Sequence, residues 1–471
     1  MTDVASTTGG WRALLGRAHL GTATLLAGGV ALYATTEFLT ISLLPSAVAD
    51  IGGEQLYAWV TTLYLVGSVM AAAAVYPALQ RFGARASYLL GLVVFAVGSL
   101  VCAAAPGMAV LLAGRTLQGA AGGLLAGLGY AVISAALPRV LWTRASALVS
   151  AMWGVATVAG PAAGGLFAQF GLWRWAFGAV AVLAAGMVAL VPAVLAAGRV
   201  DPGDATPAPR VPAWSLLLLG AAALAVSAAA LPRDGTATAG LLALGALLVA
   251  AFVAVDRRLP AAVLPRSAYS AGPLTWIYLS MALLMAAAMA DMYVPLFGQR
   301  LAHLTPVAAG FLGAALAVGW TVSEIVSASL TNARHIARLV AAAPVIVAVG
   351  LTLGAVAQVD NAPAGVVALW TCALLITGTG IGAAWPHLSA WAMACVDTDG
   401  RAAAAGINTV QLISGSFGAG LAGVVVNSAG GGTAQAARWL FAVFAAAAVP
   451  GVLASYRSTR GQDRALVSAA W

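Results

Sequence analysis

Four ionisable side chains stand inside long apolar runs of this chain: Glu37, Arg115, Asp291 and Glu324. A charge in hydrocarbon is costly, so such residues pair with one another or handle protons, ions or a charged ligand. Glu37 lies in YATTEFLTISLLP, residues 33–45. Arg115 lies in LLAGRTLQGAAGG, residues 111–123, where Arg115, Gln118, Gly119 and Gly122 share one helical face by their i, i+3, i+4, i+7 spacing. Glycines on that face let a neighbouring helix come close enough to offer carbonyls to the guanidinium. Two readings stand for Arg115: a structural pin between helices, and a member of a proton relay. Asp291, in ADMYVPLFGQ near the outer end of its run, reads first as an interfacial acid that snorkels to water and second as a proton or cation site. Glu324 is one turn from Trp320. It reads equally as an acid–aromatic cation site and as a partner for Arg334 or Arg338.

Other chemistries lack their residues. No His/Cys/Asp cluster has metal-ligand spacing, and no glycine-rich loop is placed to cradle phosphate. Cys102, Cys372 and Cys395 form no disulfide or metal pattern. With no catalytic cluster and no sizeable soluble domain, an enzyme is not expected, and no cofactor is needed. The net charge of +8 suggests nucleic acid, but no basic stripe interleaved with aromatics exists to bind it.

The elements that must hold these four residues follow from composition. Of 471 residues, 62% are hydrophobic and 8% charged, against about 25% charged in a soluble domain. Such a chain cannot make a polar shell and must sit in lipid. A spanning helix needs about 20 apolar residues. Runs of that kind fall at 20–48, 57–79, 86–105, 108–137, 145–170 and 173–197. The Pro-rich, charged stretch RVDPGDATPAPRVP (199–212) follows, then shorter runs at 213–231 and 239–255, then the polar connector 256–267. Six more runs occupy 271–298, 306–330, 339–359, 362–393, 402–429 and 434–456. The pattern six, two, six predicts an all-α integral membrane protein of fourteen spans with both termini on one side.

Charge placement agrees with this count. All 22 basic residues are arginine. With the N-terminus inside, only Arg174, Arg233, Arg300 and Arg438 fall outside and Arg115 within a span, leaving seventeen on the cytoplasmic side. Trp59, Trp142, Trp173, Trp175 and Trp214 fall near helix ends, as interfacial anchors do.

Three further strings bear on movement. In YPALQRFGARA, from Tyr76, Gly83 permits a tight turn between the second and third spans. Arg81 and Arg85 there can bond helix carbonyls or carboxylates. MWGVATVAGPAAGGL (152–166) places Ala156, Gly160 and Gly164 on a close-packing face, and Pro161 bends the helix. Met281, Met285, Met289 and Met292 form a stripe that faces lipid or core more often than ligand.

In their order and helix positions these strings resemble the major facilitator superfamily. The stretch from Tyr76 resembles its loop between helices two and three, the string around Arg115 its helix-four motif, and GPAAGG the helix-five motif of its antiporters. WRWAF (173–177) resembles the start of helix six in drug:proton antiporters, and GINTVQLISGSFGAGLAG (406–423) helix eleven of the fourteen-helix type. TTEFLTISLLP is similar to helix one of the twelve-helix efflux branch. Tyr76 and Gln80 replace the Gly and Asp with which the family's loop normally begins, which puts the usual gating lock in doubt.

The resemblance implies two six-helix bundles around a midplane cavity lined mainly by helices one, four, seven and ten, with the two middle helices inserted. It divides the chain into 1–198, 199–270 and 271–471. Glu37, Arg115, Asp291 and Glu324 are then candidates for proton coupling, with Glu37 and Arg115 approaching each other across the cavity. Tyr33, Gln118, Trp320, Asn408 and Gln411 are candidate cavity residues, the last two also expected to form interhelical hydrogen bonds. Gln80, Arg81, Gly83, Arg85, Gly160, Pro161, Gly164 and Gly165 are candidates for conformational change. The expected activity is proton-coupled efflux of drugs or other amphipathic small molecules from a bacterial inner membrane, by a monomer in contact with lipid, with both termini cytoplasmic. The alternatives are an exporter of lipid, glycolipid or secondary metabolite and, behind it, a proton-coupled importer.

Overall fold

The computed structural model describes residues 11–195, 211–232, 234–259, 262–270, 272–395 and 400–468. Most of the 199–212 linker, with Arg199 and Arg210, lies outside those residues, as does Arg233; so do the side chains of Arg139, Arg401 and Arg464. The described residues contain helices and no strands. The long helices are α1 (Leu20–Ile51), α2 (Tyr57–Ala72), α3 (Val75–Ala103), α4 (Met108–Ala131), α5 (Trp142–Gln169) and α6 (Trp173–Val194). Then come α7 (Ala213–Ala228) and α8 (Gly235–Asp256). The remainder are α9 (Pro273–Ala288), α10 (Val294–Ala302), α11 (Pro306–Ala328), α12 (Ala333–Val356), α13 (Ala364–Ala394), α14 (Gly400–Ser428) and α15 (Thr433–Ser468).

Because α9 and α10 are halves of one span, the described residues hold fourteen candidate crossings. Thirteen are long and apolar enough to cross a bilayer, and α7, with 16 residues, is the short one. The turn expected at 76–85 is tighter than the sequence suggests. Helix continues through the motif, and the chain reverses at Gly83 alone (φ 77°, ψ 171°), a conformation that a side chain resists.

Helices α1 to α6 pack on one another, as do α9 to α15. The two groups meet along α5 with α11, α1 with α11, and α2 with α14. We call the end where α1 begins and α15 finishes the terminal end, and the opposite end the far end. Two hydrogen bonds and an ion pair that cross between the groups lie together at the far end. The Tyr57 hydroxyl donates to the Met292 carbonyl (3.4 Å), and Asn427 Nδ2 donates to the Gln55 carbonyl (2.9 Å). Arg300 pairs with Glu54. Tyr57 also stacks on Tyr293, with ring centroids 4.7 Å apart.

Of the inserted pair, α8 is peripheral, burying only Gly245, Phe252 and Asp256 among its residues. α7 instead packs against both α2 and α14. Ser227 Oγ donates to Thr62 Oγ1 (3.0 Å) and the Ser227 carbonyl accepts from Trp59 Nε1 (3.2 Å), while a Cβ on Gly420 of α14 would meet Ser227 Oγ at 2.7 Å. Trp59 is thus a packing residue rather than an interfacial anchor. So is Trp173, which is buried and donates to Asp50 (3.1 Å). Trp175 and Trp214 stay exposed. At the end of α8, Asp256 is fully buried and ties down the connector. It accepts from the Val263 and Leu264 amides (2.8 and 3.2 Å) and from the Tyr269 hydroxyl. Burial, with that carboxylate beside it, pushes the Tyr269 phenol well above its ordinary range.

Candidate functional site

Helix α1 carries Glu37, and the glycines of α5 set its position. A Cβ on Gly160 would meet Phe38 Cβ at 2.5 Å, and one on Gly164 would meet the Leu39 carbonyl oxygen at 2.3 Å. The two helices therefore pack closely at the two residues that follow the acid. The Pro161 carbonyl accepts from Ser42 Oγ (3.2 Å). Gly165 faces the other bundle, where an added Cβ would meet Val307 Cα at 2.7 Å. Glu37 is half-buried and has no hydrogen bond or ion pair among the described residues.

Arg115 does not pair with Glu37. It is 1% exposed and turned into its own bundle, between α2 and α3. Nη1 donates to Gln118 Oε1 (2.9 Å), Nε donates to the Val60 carbonyl (3.4 Å), and the guanidinium lies 3.9 Å over the Tyr64 ring. Gln118 Nε2 in turn donates to Ser99 Oγ (2.8 Å). Gln118 is fully buried in this network. The close approach comes from Gly119 and Gly123, where a Cβ would stand 2.1 and 2.2 Å from the carbonyl oxygens of Tyr64 and Ser68. The link to Glu37 runs through rings. The Tyr64 hydroxyl donates to the Tyr33 carbonyl (2.7 Å), the Tyr64 and Tyr33 rings stack at 5.3 Å, and Trp153 meets Tyr33 edge-on at 5.7 Å. Tyr33 precedes Glu37 by one turn. Tyr64 and Tyr33 thus connect the Arg115 network to the turn of α1 that precedes Glu37.

Asp291 corrects the sequence expectation more sharply. It does not snorkel to water; it is 9% exposed, and its Oδ1 is buried with no hydrogen-bond partner. It sits in a 3₁₀ segment, Met289–Tyr293, that interrupts the seventh core span between α9 and α10. Pro295 explains the break. It has no N–H to give the Asp291 carbonyl four residues back, and its ring clashes with a helical carbonyl there. The Val294 amide takes that carbonyl in a tighter turn instead. The acid lies next to the seam between bundles, where the Met292 carbonyl accepts from Tyr57 of α2 and Tyr293 stacks on that ring. The methionines around it, Met281, Met285, Met289 and Met292, are all buried, so the stripe belongs to the core.

Glu324 stands apart from that pair. Its Oε2 accepts from Trp320 Nε1 (2.9 Å), and the Trp320 ring lies 5.3 Å from that of Trp385 on α13. It pairs with neither Arg334 nor Arg338, which are exposed at the start of α12. Asn408 is exposed and Gln411 half-buried, and neither makes the expected interhelical bond among the described residues. That role falls to Asn427, which joins Gln55 and, at 3.2 Å, the Ala230 carbonyl. Arg81 lies over its neighbour Phe82 and, like Arg85, bonds no carbonyl or carboxylate among the described residues; Gln80 is half-buried. His387 is buried against Ser327, 2.8 Å from its hydroxyl. A cleft of about 230 Å³ at the far end is lined by Glu54, Tyr57, Tyr293, Phe297, Arg300 and Asn427, and none of the membrane acids reaches it.

Unpaired acids at the seam between two helical bundles are the geometry of a transporter, and the comparisons agree. The model of the Major Facilitator Superfamily matches residues 26–419. The chain belongs to that superfamily. It is 66% identical to a probable multidrug-efflux transporter of Mycobacterium tuberculosis (strain ATCC 25618 / H37Rv), with 99% of this chain and 100% of that protein covered. Among solved structures, a POT family transporter in complex with 5-aminolevulinic acid superposes with a TM-score of 0.64 at 10% identity, covering 95% of this chain and 96% of that one. The nucleoside transporter NupG gives 0.59 at 14% identity, covering 92% and 98%. These two likenesses concern the fold alone. Within the superfamily, the signals for Trp153, Tyr64 and Trp385 were weak in the sequence, because aromatic residues in apolar runs carry no mark of what they face. The break at Asp291 was legible in principle from the Asp-x-x-x-Pro spacing.

Proposed function

We propose that this superfamily member exports amphipathic small molecules, drugs among them, from the cytoplasm of a bacterium in exchange for protons. In this reading the terminal end is cytoplasmic, the protein works as a monomer, and Glu37 and Asp291 carry the protons. The observation that carries the reading is their placement. Two membrane-embedded acids, one from each bundle, stand without an ion pair among the described residues, and Asp291 Oδ1 is buried with no hydrogen-bond partner. Two carboxylates in one low-dielectric region do not both ionise readily, so the site holds a proton and releases it when the bundles part. The printed name of the 66% identical relative supports the substrate class.

Alternating access follows from the far-end contacts. Rocking that opens the far end must break the Arg300–Glu54 pair and separate Tyr57 from Tyr293, and it exposes the acid pair to the other side. One proton crossing 100 mV supplies about 2.3 kcal/mol. The test is an everted-vesicle assay in which lipophilic antibiotics are added against an established pH gradient. Wild type should dissipate the gradient as substrate moves. Glu37→Gln and Asp291→Asn should not, at equal membrane abundance. Uphill, proton-dependent export by both variants would overturn the reading.

A further inference from the structure

The inserted helix α7 touches both bundles, and it touches them in different ways. Trp59, Thr62, Val66 and Met70 share the face of α2 that meets it. At the middle of α7, a Cβ on Gly220 would meet Val66 Cγ1 at 3.4 Å and Met70 Sδ at 3.9 Å, which is ordinary packing. Two turns on, Ser227 Oγ donates to Thr62 Oγ1 (3.0 Å), and the Ser227 carbonyl accepts from Trp59 Nε1 (3.2 Å). Ser227 and Thr62 are both fully buried. On the other side, Gly420, Gly423, Val424 and Asn427 share one face of α14 by their i, i+3, i+4, i+7 spacing. A Cβ on Gly420 would stand 2.7 Å from Ser227 Oγ, and one on Gly423 3.5 Å from Ala230 Cβ. Val424 packs with Ala229 and Ala230 in the turn that ends α7. Asn427 Nδ2 donates to the Ala230 carbonyl (3.2 Å), and this asparagine is exposed at the far-end rim.

The contrast decides which bundle keeps α7. A hydroxyl and an indole N–H buried in a membrane protein find no water to replace a lost partner, so parting α7 from α2 leaves polar groups unsatisfied. Parting α7 from α14 is easier. Glycine faces carry no side chains that must unlock, and water at the rim can take the place of the carbonyls that Asn427 gives up. We infer that α7 moves with the first bundle as a seventh helix of it, and that α14 slides off it along the glycine face when the far end opens. Ser227 is then the fixed anchor and Asn427 the releasable one. Asn427 holds the Gln55 carbonyl of the first bundle as well as that of Ala230, so both bonds break in the same movement. The inserted helix is thereby a strap over the far-end seam, fastened permanently on one side. This rests on the alternating access proposed above.

The test uses two cysteine pairs in the full chain, in a background lacking Cys102, Cys372 and Cys395, in everted vesicles. Thr62→Cys with Ser227→Cys allows a link from α7 to α2. Val424→Cys with Ala230→Cys allows a link from the end of α7 to α14. Iodine closes each link and a reductant opens it. The α2 link should leave drug-driven proton movement within about twofold of the unlinked protein. The α14 link should lower it about tenfold or more, and reduction should restore it, which also shows that the protein is folded. Should the second pair be inactive before linking, Asn427→Cys with Ala230→Cys takes its place. Full activity with the α14 link closed, loss of activity with the α2 link closed, or failure of the α2 link to form would each overturn the inference. A second measurement needs no transport. Glu54→Arg sets a like charge against Arg300 and favours an open far end. In that background the α14 link should form severalfold more slowly and the α2 link at an unchanged rate. An unchanged rate for the α14 link, or a slowed α2 link, would overturn the inference. Vesicles in which neither wild type nor any unlinked variant moves protons on drug addition remove the efflux reading, and the rates of link formation then decide the inference alone.

Discussion

Arg115 and Asp291 are both buried ionisable residues in membrane-embedded helices, and the fold treats them in opposite ways. Arg115 has a side-chain acceptor, a carbonyl and an aromatic face, all from its own bundle. Asp291 has a carboxylate oxygen with no partner, on a helix that Pro295 has broken, at the seam with the other bundle. A group whose partners all move with it keeps its environment when the bundles rock. A group at the seam does not. The difference separates a polar residue that holds a bundle together from one that responds to its motion.

The largest effect should come from the acids at the seam. Glu37→Gln and Asp291→Asn should each reduce proton-coupled export to the level of vesicles without the protein, while melting temperature stays near wild type, because neither carboxylate makes a bond that the amide would lose. A coupled transport rate near wild type in either variant would show that the unpaired state of that acid has no functional meaning. Arg115→Ala should do the opposite. It strips charge-assisted hydrogen bonds from Gln118 and Val60, each worth about 1.5–3 kcal/mol, and lowers the melting temperature of the purified protein. The surviving folded fraction should keep the ratio of protons to substrate. Loss of coupling with Arg115→Lys at unchanged stability would move Arg115 from scaffold to relay and erase the contrast.

Smaller effects sharpen the same comparison. Gly119→Ala forces a methyl group against the Tyr64 carbonyl, 2.1 Å away. It should cost about 1–3 kcal/mol in thermal unfolding, because α2 must shift from α4 and carry Tyr64 away from Arg115. Least of all, Glu54→Gln removes the pair with Arg300 at the exposed far-end rim. Its stability cost should stay under about 1 kcal/mol. It should still speed far-end opening, read as faster access of a thiol reagent to a cysteine placed at Val48 in a background lacking Cys102, Cys372 and Cys395. Unchanged access would remove this ion pair from the gate.

What the sequence determined by itself was whatever depends on consecutive residues. Apolar run length dictates helix in lipid, because backbone groups there must bond within their own segment. Fourteen runs, the arginine asymmetry, the Gly83 turn and the GPAAGG face all follow from local composition and spacing. So does the short list of membrane acids. The tertiary structure decided which of them meet. Periodicity placed Arg115 on a glycine face, but only packing shows that this face turns inward to Val60, Tyr64 and Ser99, away from Glu37. Run length placed Asp291 near a helix end, where water would be at hand; the proline-broken span instead buries it beside the opposite bundle. Ser227 in an inserted helix touching both α2 and α14 was equally invisible. The physical reason is the same in each case. A spanning helix fixes the depth and rotation of its own side chains, whereas the partner a buried charge finds depends on which neighbour comes close, and that is set by glycines and kinks on helices far away in the chain.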